Sequence, residues 1–206
     1  MGFDSHPLVK KRKLVIGGVE IPFPKGLDGW SDADVLTHAV MDALLGAAAL
    51  GDIGGHFPPG EPQYKDISSL ILLKEVGNKL AKEGWRIENI DATVIAEEPK
   101  LAGFIEPMRQ NISQTLDTNI RQISVKASTA ARLGSIGQGK GIEARAVALI
   151  ESASNQAGKM ISLMLNQIGL MTGSPEEPNC DCPSPQSDGA ADSDVQQEGG
   201  KSDVTD

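Results

Sequence analysis

The sequence predicts an α+β fold, a mixed and partly antiparallel sheet layered with helices. Three observations carry that expectation: apolar residues at helical spacing between Asp32 and Leu50, a β-rich run at Ile87–Ala96 halted by Pro99, and alternating apolar and small residues over Gly141–Ile150. Taken in order, Leu14–Ile21 reads as short strands around Gly17-Gly18. A long helix follows from Asp32 to about Leu50, with Val35, Leu36, Ala39, Ala43, Leu44 and Ala47 on its apolar face. Ser31 is its expected cap, with Asp34 three residues later as in a capping box. A second helix runs from Ser68 to about Lys82, before Gly84, and a third over about Ile105–Leu116. Ile120–Ala127 and Gly141–Ile150 read as strands, and Met160–Met171 as an added helix. No internal repeat is present.

Three regions are expected: a domain over 1–152, an added helical segment over 153–172, and a disordered acidic tail over 173–206. The tail has almost no large apolar side chain and cannot bury enough surface to offset its ordering entropy. Its nine acids and one lysine account for eight of the nine net negative charges, which leaves a nearly neutral domain. Nothing in this balance suggests a nucleic-acid partner. Both cysteines, Cys180 and Cys182, lie in the tail as Cys-x-Cys, too few for a thiolate metal site and poorly spaced for a disulfide. No apolar run approaches the roughly 18 residues that span a bilayer, and no signal peptide is visible. The expectation is a soluble, cytoplasmic protein with no membrane partner.

Two short segments carry the chemistry. Asp4-Ser5-His6 on extended backbone puts Asp4 and His6 on one face, since side chains alternate along a strand. Further on, Ser31-Asp32-Ala33-Asp34 leads to His38, and Asp34, His38 and Asp42 share a helix face at spacings of four. Two of the three histidines sit in these segments. Two imidazoles and one carboxylate, Asp4, His6 and His38, form a complete protein ligand set for a zinc that keeps one position open. A carboxylate beside a ligating imidazole is the usual support for it, a role expected of Asp42. The stretch GDIGGHF reads on its own as a turn with a buried Phe57, and His56 as a turn residue outside the ligand set. No Ser-His-Asp or Cys-His constellation is evident.

The segments GFDSH, LVIGGVEIPFPKGLDGWSDADVLTHAVMDALLGAAALGDIGGHFP, ATVIAEEPKLAGFIEPMR and VKASTAARLGSIGQGKGIEARAVALIE resemble, in that order, the 2-C-methyl-D-erythritol 2,4-cyclodiphosphate synthase family. The likeness covers Gly2 to about Glu151. It implies a lyase that cyclises 4-diphosphocytidyl-2-C-methyl-D-erythritol 2-phosphate, releases CMP, and serves non-mevalonate isoprenoid biosynthesis. It implies a homotrimer whose cytidine site is shared between chains. The implied metals are zinc, or another divalent transition metal, on Asp4, His6 and His38, and magnesium with the diphosphate. By the same resemblance Ala96, Lys100, Leu101 and Ala102 match the cytidine loop, with Lys100 offering a cation to phosphate. Ser128 and Thr129 match paired hydroxyls on the diphosphate, Thr129 at the catalytic position. Asp52, Ile53, Gly54 and Phe57 match the wall around the methylerythritol unit. Asp4, His6, Ser31 and Glu61 also match substrate-contacting positions.

Four positions depart from the pattern. Trp30 stands where the family usually has a catalytic histidine, and its indole N–H can donate but cannot exchange a proton. Ala131 replaces a glutamate that binds the second ion, Gln138 replaces an arginine, and Pro59 is a milder change. These departures motivate an alternative reading, a catalytically weakened trimeric protein that binds zinc and nucleotide.

Overall fold

The structure, a computed structural model, describes residues 1–154 together with 160, 161, 163 and 164. Strand β1 (Gly2–Lys10) is followed by a hairpin of β2 (Leu14–Ile16) and β3 (Val19–Ile21), then by β4 (Lys25–Leu27) and helix α1 (Val35–Ala47). A single helical turn, α2 (Ile53–His56), precedes α3 (Ser69–Lys82), β5 (Trp85–Ile95) and α4 (Ile105–Leu116). The described domain closes with β6 (Ile123–Ser128), the short turn α5 (Gly134–Gly137) and β7 (Gly141–Ser152). Met160, Ile161, Leu163 and Met164 are helical and exposed. The rest of the expected helix at Met160–Met171, and the acidic tail, lie outside the described residues.

Five strands form one sheet in the order β4-β1-β7-β5-β6, and β2-β3 form a separate ribbon. β1 and β5 each pair antiparallel with β7, whereas β6 pairs parallel with β5. A parallel neighbour needs a crossover, which α4 supplies. The expected mixed α+β sheet is therefore observed. Alternation along β7 puts Ala144 and Ala146 in the core and leaves Arg145, Val147 and Leu149 exposed on the opposite face, beside exposed Phe3 of β1.

The long helix differs from its expected form. It begins at Val35, and its cap is Asp34, whose carboxylate accepts from Thr37 N, while Ser31 Oγ accepts from Ala33 N instead. Asp34 prevails because it also accepts from the Gly17 and Gly18 amides, both at positive φ in the β2–β3 turn. One carboxylate thus fastens the ribbon to the helix start. Nor is α1 simply amphipathic: Val35 to Met41 are buried without a break, as expected of a helix that packs on all sides. β1 lies directly on its backbone. A Cβ at Gly2 would fall 2.0 Å from the Ala39 carbonyl oxygen, so only glycine permits the approach that brings β1 side chains to His38. Ile120–Gln122 forms a single helical turn, and β6 starts only at Ile123.

Candidate metal centre and a second cavity

Alternation along β1 turns Asp4 and His6 toward α1, where His38 occupies the first full turn. Asp4 Oδ2 lies 2.9 Å from His6 Nε2 and 2.9 Å from His38 Nδ1, and the two ring nitrogens are 3.3 Å apart. Among the described residues, Asp4, His6 and His38 thus bring one ligand atom each within 4.8 Å of the others. His6 Nδ1 donates to the Asp28 carbonyl at 2.7 Å, which leaves Nε2 as an acceptor facing the Asp4 carboxylate. Two acceptors that close require a cation between them, either a proton or a metal. The donor set and its convergence fit a divalent metal with an open position.

The charges respond accordingly. Burial raises the Asp4 pKa, but hydrogen bonds and charge from His38 and His6 more than offset it and hold the carboxyl well below the usual range. For His6, burial favours the neutral ring, yet the Asp4 hydrogen bond and charge and the Asp28 carbonyl raise its pKa overall.

Above these groups is a cavity of about 220 Å³, lined by Asp4, His6, Trp30, Ser31, His38 and an apolar wall of Met41, Ile53, Gly54, Phe57, Pro59, Tyr64 and Leu72. Phe57 and Tyr64 meet edge to face, with centroids 5.6 Å apart. Trp30 is 39 % exposed, and its indole N–H donates to the Glu61 carbonyl at 2.9 Å. Glu61 therefore meets the site through its backbone, and neither it nor Asp52 lines the cavity. Asp52 caps α2, accepting from Gly55 N at 2.8 Å. The expected pairing of His38 with Asp34 and Asp42 does not occur. Asp34 is spent on the helix start, and Asp42 accepts from Ile53 N at 2.9 Å, holding α2 under the cavity. His56 bonds to the Leu50 carbonyl and lies outside the triad.

Sequence reading missed three contributors. Ser69 Oγ sits 2.9 Å from His38 Nε2. Arg12 donates to the Gly29 and Ser31 carbonyls, clamping the loop that carries Asp28 and Trp30. Tyr64 completes the wall. The Arg12 and Asp28 contacts use backbone carbonyls, which carry no sequence signal; Ser69, the residue that opens an apolar helical run, was the findable one.

A second cavity of about 600 Å³ opens at the carboxyl ends of the parallel pair β5 and β6, the edge where open sheets usually take ligands. Ala96, Lys100, Leu101, Ala102, Ser128 and Thr129 all line it, with Glu97 and Lys126. Buried Leu101 anchors the loop, while Lys100, Ser128 and Thr129 are exposed. Ala131 and Arg132 follow at positive φ, the Arg132 amide donating to Glu97. The two cavities share no lining residue.

The sequence model of the YgbB family matches residues 1–151. A 2-C-methyl-D-erythritol 2,4-cyclodiphosphate synthase of Syntrophomonas wolfei is 59% identical over 152 residues, covering 74% of this chain and 97% of that protein. One from Dehalococcoides mccartyi is 56% identical over 150 residues, covering 73% and 96%. Among solved structures, the bifunctional IspDF of Campylobacter jejuni superposes with a TM-score of 0.71 at 40% identity. That match covers 73% of this chain but only 41% of the longer bifunctional protein. An IspF of Plasmodium falciparum in complex with CDP gives a TM-score of 0.64 at 34% identity, covering 73% and 93%. Taken with the fold and the converging triad, these matches mean that the chain belongs to the YgbB family, that of the 2-C-methyl-D-erythritol 2,4-cyclodiphosphate synthases.

Proposed function

We propose that this chain is a metal-dependent phosphorus–oxygen lyase of isoprenoid precursor synthesis. It cyclises 4-diphosphocytidyl-2-C-methyl-D-erythritol 2-phosphate to the 2,4-cyclodiphosphate and expels CMP. The observation that carries the reading is the convergence of Asp4, His6 and His38 at the floor of an otherwise apolar cavity. Zinc fits two imidazoles and a carboxylate best among common divalent ions. When bound there it supplies Lewis acidity toward a phosphate oxygen.

In the reaction an oxygen of the 2-phosphate attacks the β-phosphorus, the bond to the bridging oxygen breaks, and CMP departs with that electron pair. CMP leaves as a phosphate anion, so no nucleophilic side chain is needed, and the protein's work is positioning and charge stabilisation. Met41, Ile53, Phe57 and Leu72 keep water from the methylerythritol unit, with Gly54 leaving room for it. The Asp52 carboxylate, beyond its cap bond, accepts from a substrate hydroxyl. Ser31 and the Glu61 segment border the diphosphate side through the Trp30 loop. Thr129 Oγ1 accepts from Ala131 N, leaving its hydroxyl proton for the charge that develops on the diphosphate. Ser128 and Lys100 add a second hydroxyl and a cation, and the Ala96–Ala102 backbone holds cytosine. A magnesium ion accompanying the diphosphate would find no carboxylate at Ala131 and would have to be held by the substrate and water.

Separate cavities on one chain support an assembly in which the metal centre of one copy faces the cytidine loop of another. A homotrimer, with exposed Phe3, Val147 and Leu149 covered, meets that need. The domain over 1–152 does this work, with 153–172 and 173–206 as appendages. Among the described residues no helix is long and apolar enough to cross a membrane, in keeping with a cytoplasmic enzyme. The weakened binding-protein alternative has no observation in its favour beyond Trp30 and Ala131. The test is CMP release from the purified chain and its substrate, with zinc and magnesium each present or withheld. Nucleotide binding without CMP release under every condition would reject the enzyme reading.

A further inference from the structure

Ser69, the first residue of α3, is fully buried, and its hydroxyl touches two groups. Oγ lies 2.5 Å from Asp32 Oδ1 and 2.9 Å from His38 Nε2. Asp32 can only accept: its carboxylate also takes the Ser69 amide at 2.9 Å and the Asp34 amide at 3.2 Å. The single hydroxyl proton of Ser69 must therefore point at Asp32. What remains for His38 is a lone pair, so His38 Nε2 must carry the proton. With Nε2 carrying its proton toward Ser69, Nδ1 is the nitrogen left for the cation, a proton or a metal, that must lie between it and Asp4 Oδ2. Ser31 Oγ, at 3.3 Å from Nε2, is the longer neighbour and already accepts from the Ala33 amide.

We infer that Asp32 and Ser69 form a directional hydrogen-bond relay that locks His38 in its Nε2–H tautomer and presents Nδ1 to the metal, Ser69 and Asp32 being positioning residues. This rests on the metal reading above. The relay joins the α1 entry loop to the start of α3. Both segments must be in place before His38 becomes a ligand. Without the lock, the hydroxyl is free to rotate and donate to Nε2, which would put the proton on Nδ1 and block the ligand atom.

The test uses the full chain, zinc titrated against a competing chelator, and ¹⁵N-histidine NMR to read the His38 tautomer. Wild type should bind one zinc per chain, with Nε2 protonated. Ser69→Ala should weaken zinc about 10- to 100-fold, the range for groups that support a metal ligand. Ser69→Thr, which keeps the hydroxyl, should recover most of that loss. Asp32→Asn has a single acceptor oxygen for the three donors that Asp32 serves. It should weaken zinc at least as much and lower the proton occupancy of His38 Nε2 in the zinc-free protein, an effect no merely structural role produces. Folded Ser69→Ala and Asp32→Asn proteins with wild-type zinc affinity and an unchanged tautomer would overturn the relay while leaving the metal site intact. Wild-type protein that binds no zinc would overturn both.

Discussion

The two cavities are built differently. The metal cavity rests on buried, mutually bonded groups: His38 on the first full turn of a buried helix, His6 fixed by the Asp28 carbonyl, Asp42 and Arg12 holding the loops around it. The β5–β6 cavity is an open shelf of loop backbone, whose Lys100, Ser128 and Thr129 side chains are exposed. One cavity holds its polar groups through buried hydrogen bonds, whereas the other presents them on an exposed surface. Rigid placement suits a metal ligand set, whose geometry cannot drift. Exposed hydroxyls and a flexible lysine suit a diphosphate that must be admitted and released.

That contrast can be broken most sharply at the metal floor. His38→Ala leaves two ligands, too few for tight binding. Elemental analysis should find zinc lost, and CMP release should fall by about three orders of magnitude or more. Undiminished zinc in this variant would sink the assignment. Next comes the shelf: Thr129→Ala should slow CMP release by about 10²- to 10³-fold, the usual cost of one electrostatic donor, with zinc content unchanged. If zinc fell too, the two cavities would not be the independent units described.

A smaller effect concerns the metal-free triad. The depressed Asp4 pKa contributes stability that is present above about pH 3.9 and lost as pH falls through the folded value. The raised His6 pKa contributes stability that is present below about pH 6.5 and lost as pH rises through the folded value. Both are present in full between about pH 4 and 6.5. Thermal melts of zinc-free protein should therefore show the largest gap between wild type and Asp4→Asn in that window. A gap that does not change with pH would contradict the ion pair.

The gentlest changes fall one at each cavity, at Ala131 just beyond the β5–β6 shelf and at Trp30 in the wall of the metal cavity. Ala131→Glu restores a carboxylate beside Thr129 and should raise CMP release several-fold in magnesium. Ala131 already carries a Cβ at φ 51°, so a glutamate there adds no new backbone clash. Trp30→His should do little alone, because it exchanges a titratable donor for the lost indole bond to Glu61 and an opened wall. A large loss in that variant would show that the indole itself shapes the pocket.

Much of this was legible in the sequence because the informative spacings are short. The alternation of Asp4 and His6, and the helical periods around His38, need only local geometry. The helices and the β5 and β7 strands follow from the same periodicities. What was not legible depends on tertiary competition. SDAD offers two caps, and Asp34 wins only because the Gly17-Gly18 turn folds back onto it. Asp42 looks like a partner of His38 by spacing, yet the Ile53 amide claims it. Asp52, matched to the substrate wall, also caps a one-turn helix through one oxygen, a second task that its position in the sequence did not reveal. Ser69 meets His38 across 31 residues and Asp32 across 37, distances at which no periodicity operates.

Everything proposed for the metal cavity turns on the dependence of catalysis on a metal held by Asp4, His6 and His38. That dependence is tested most directly by stripping the full chain of metal with a chelator and following CMP release as zinc is returned. Stripped protein should show no release above background, with recovery that levels off at about one zinc per chain. Undiminished CMP release from verifiably metal-free protein would contradict it.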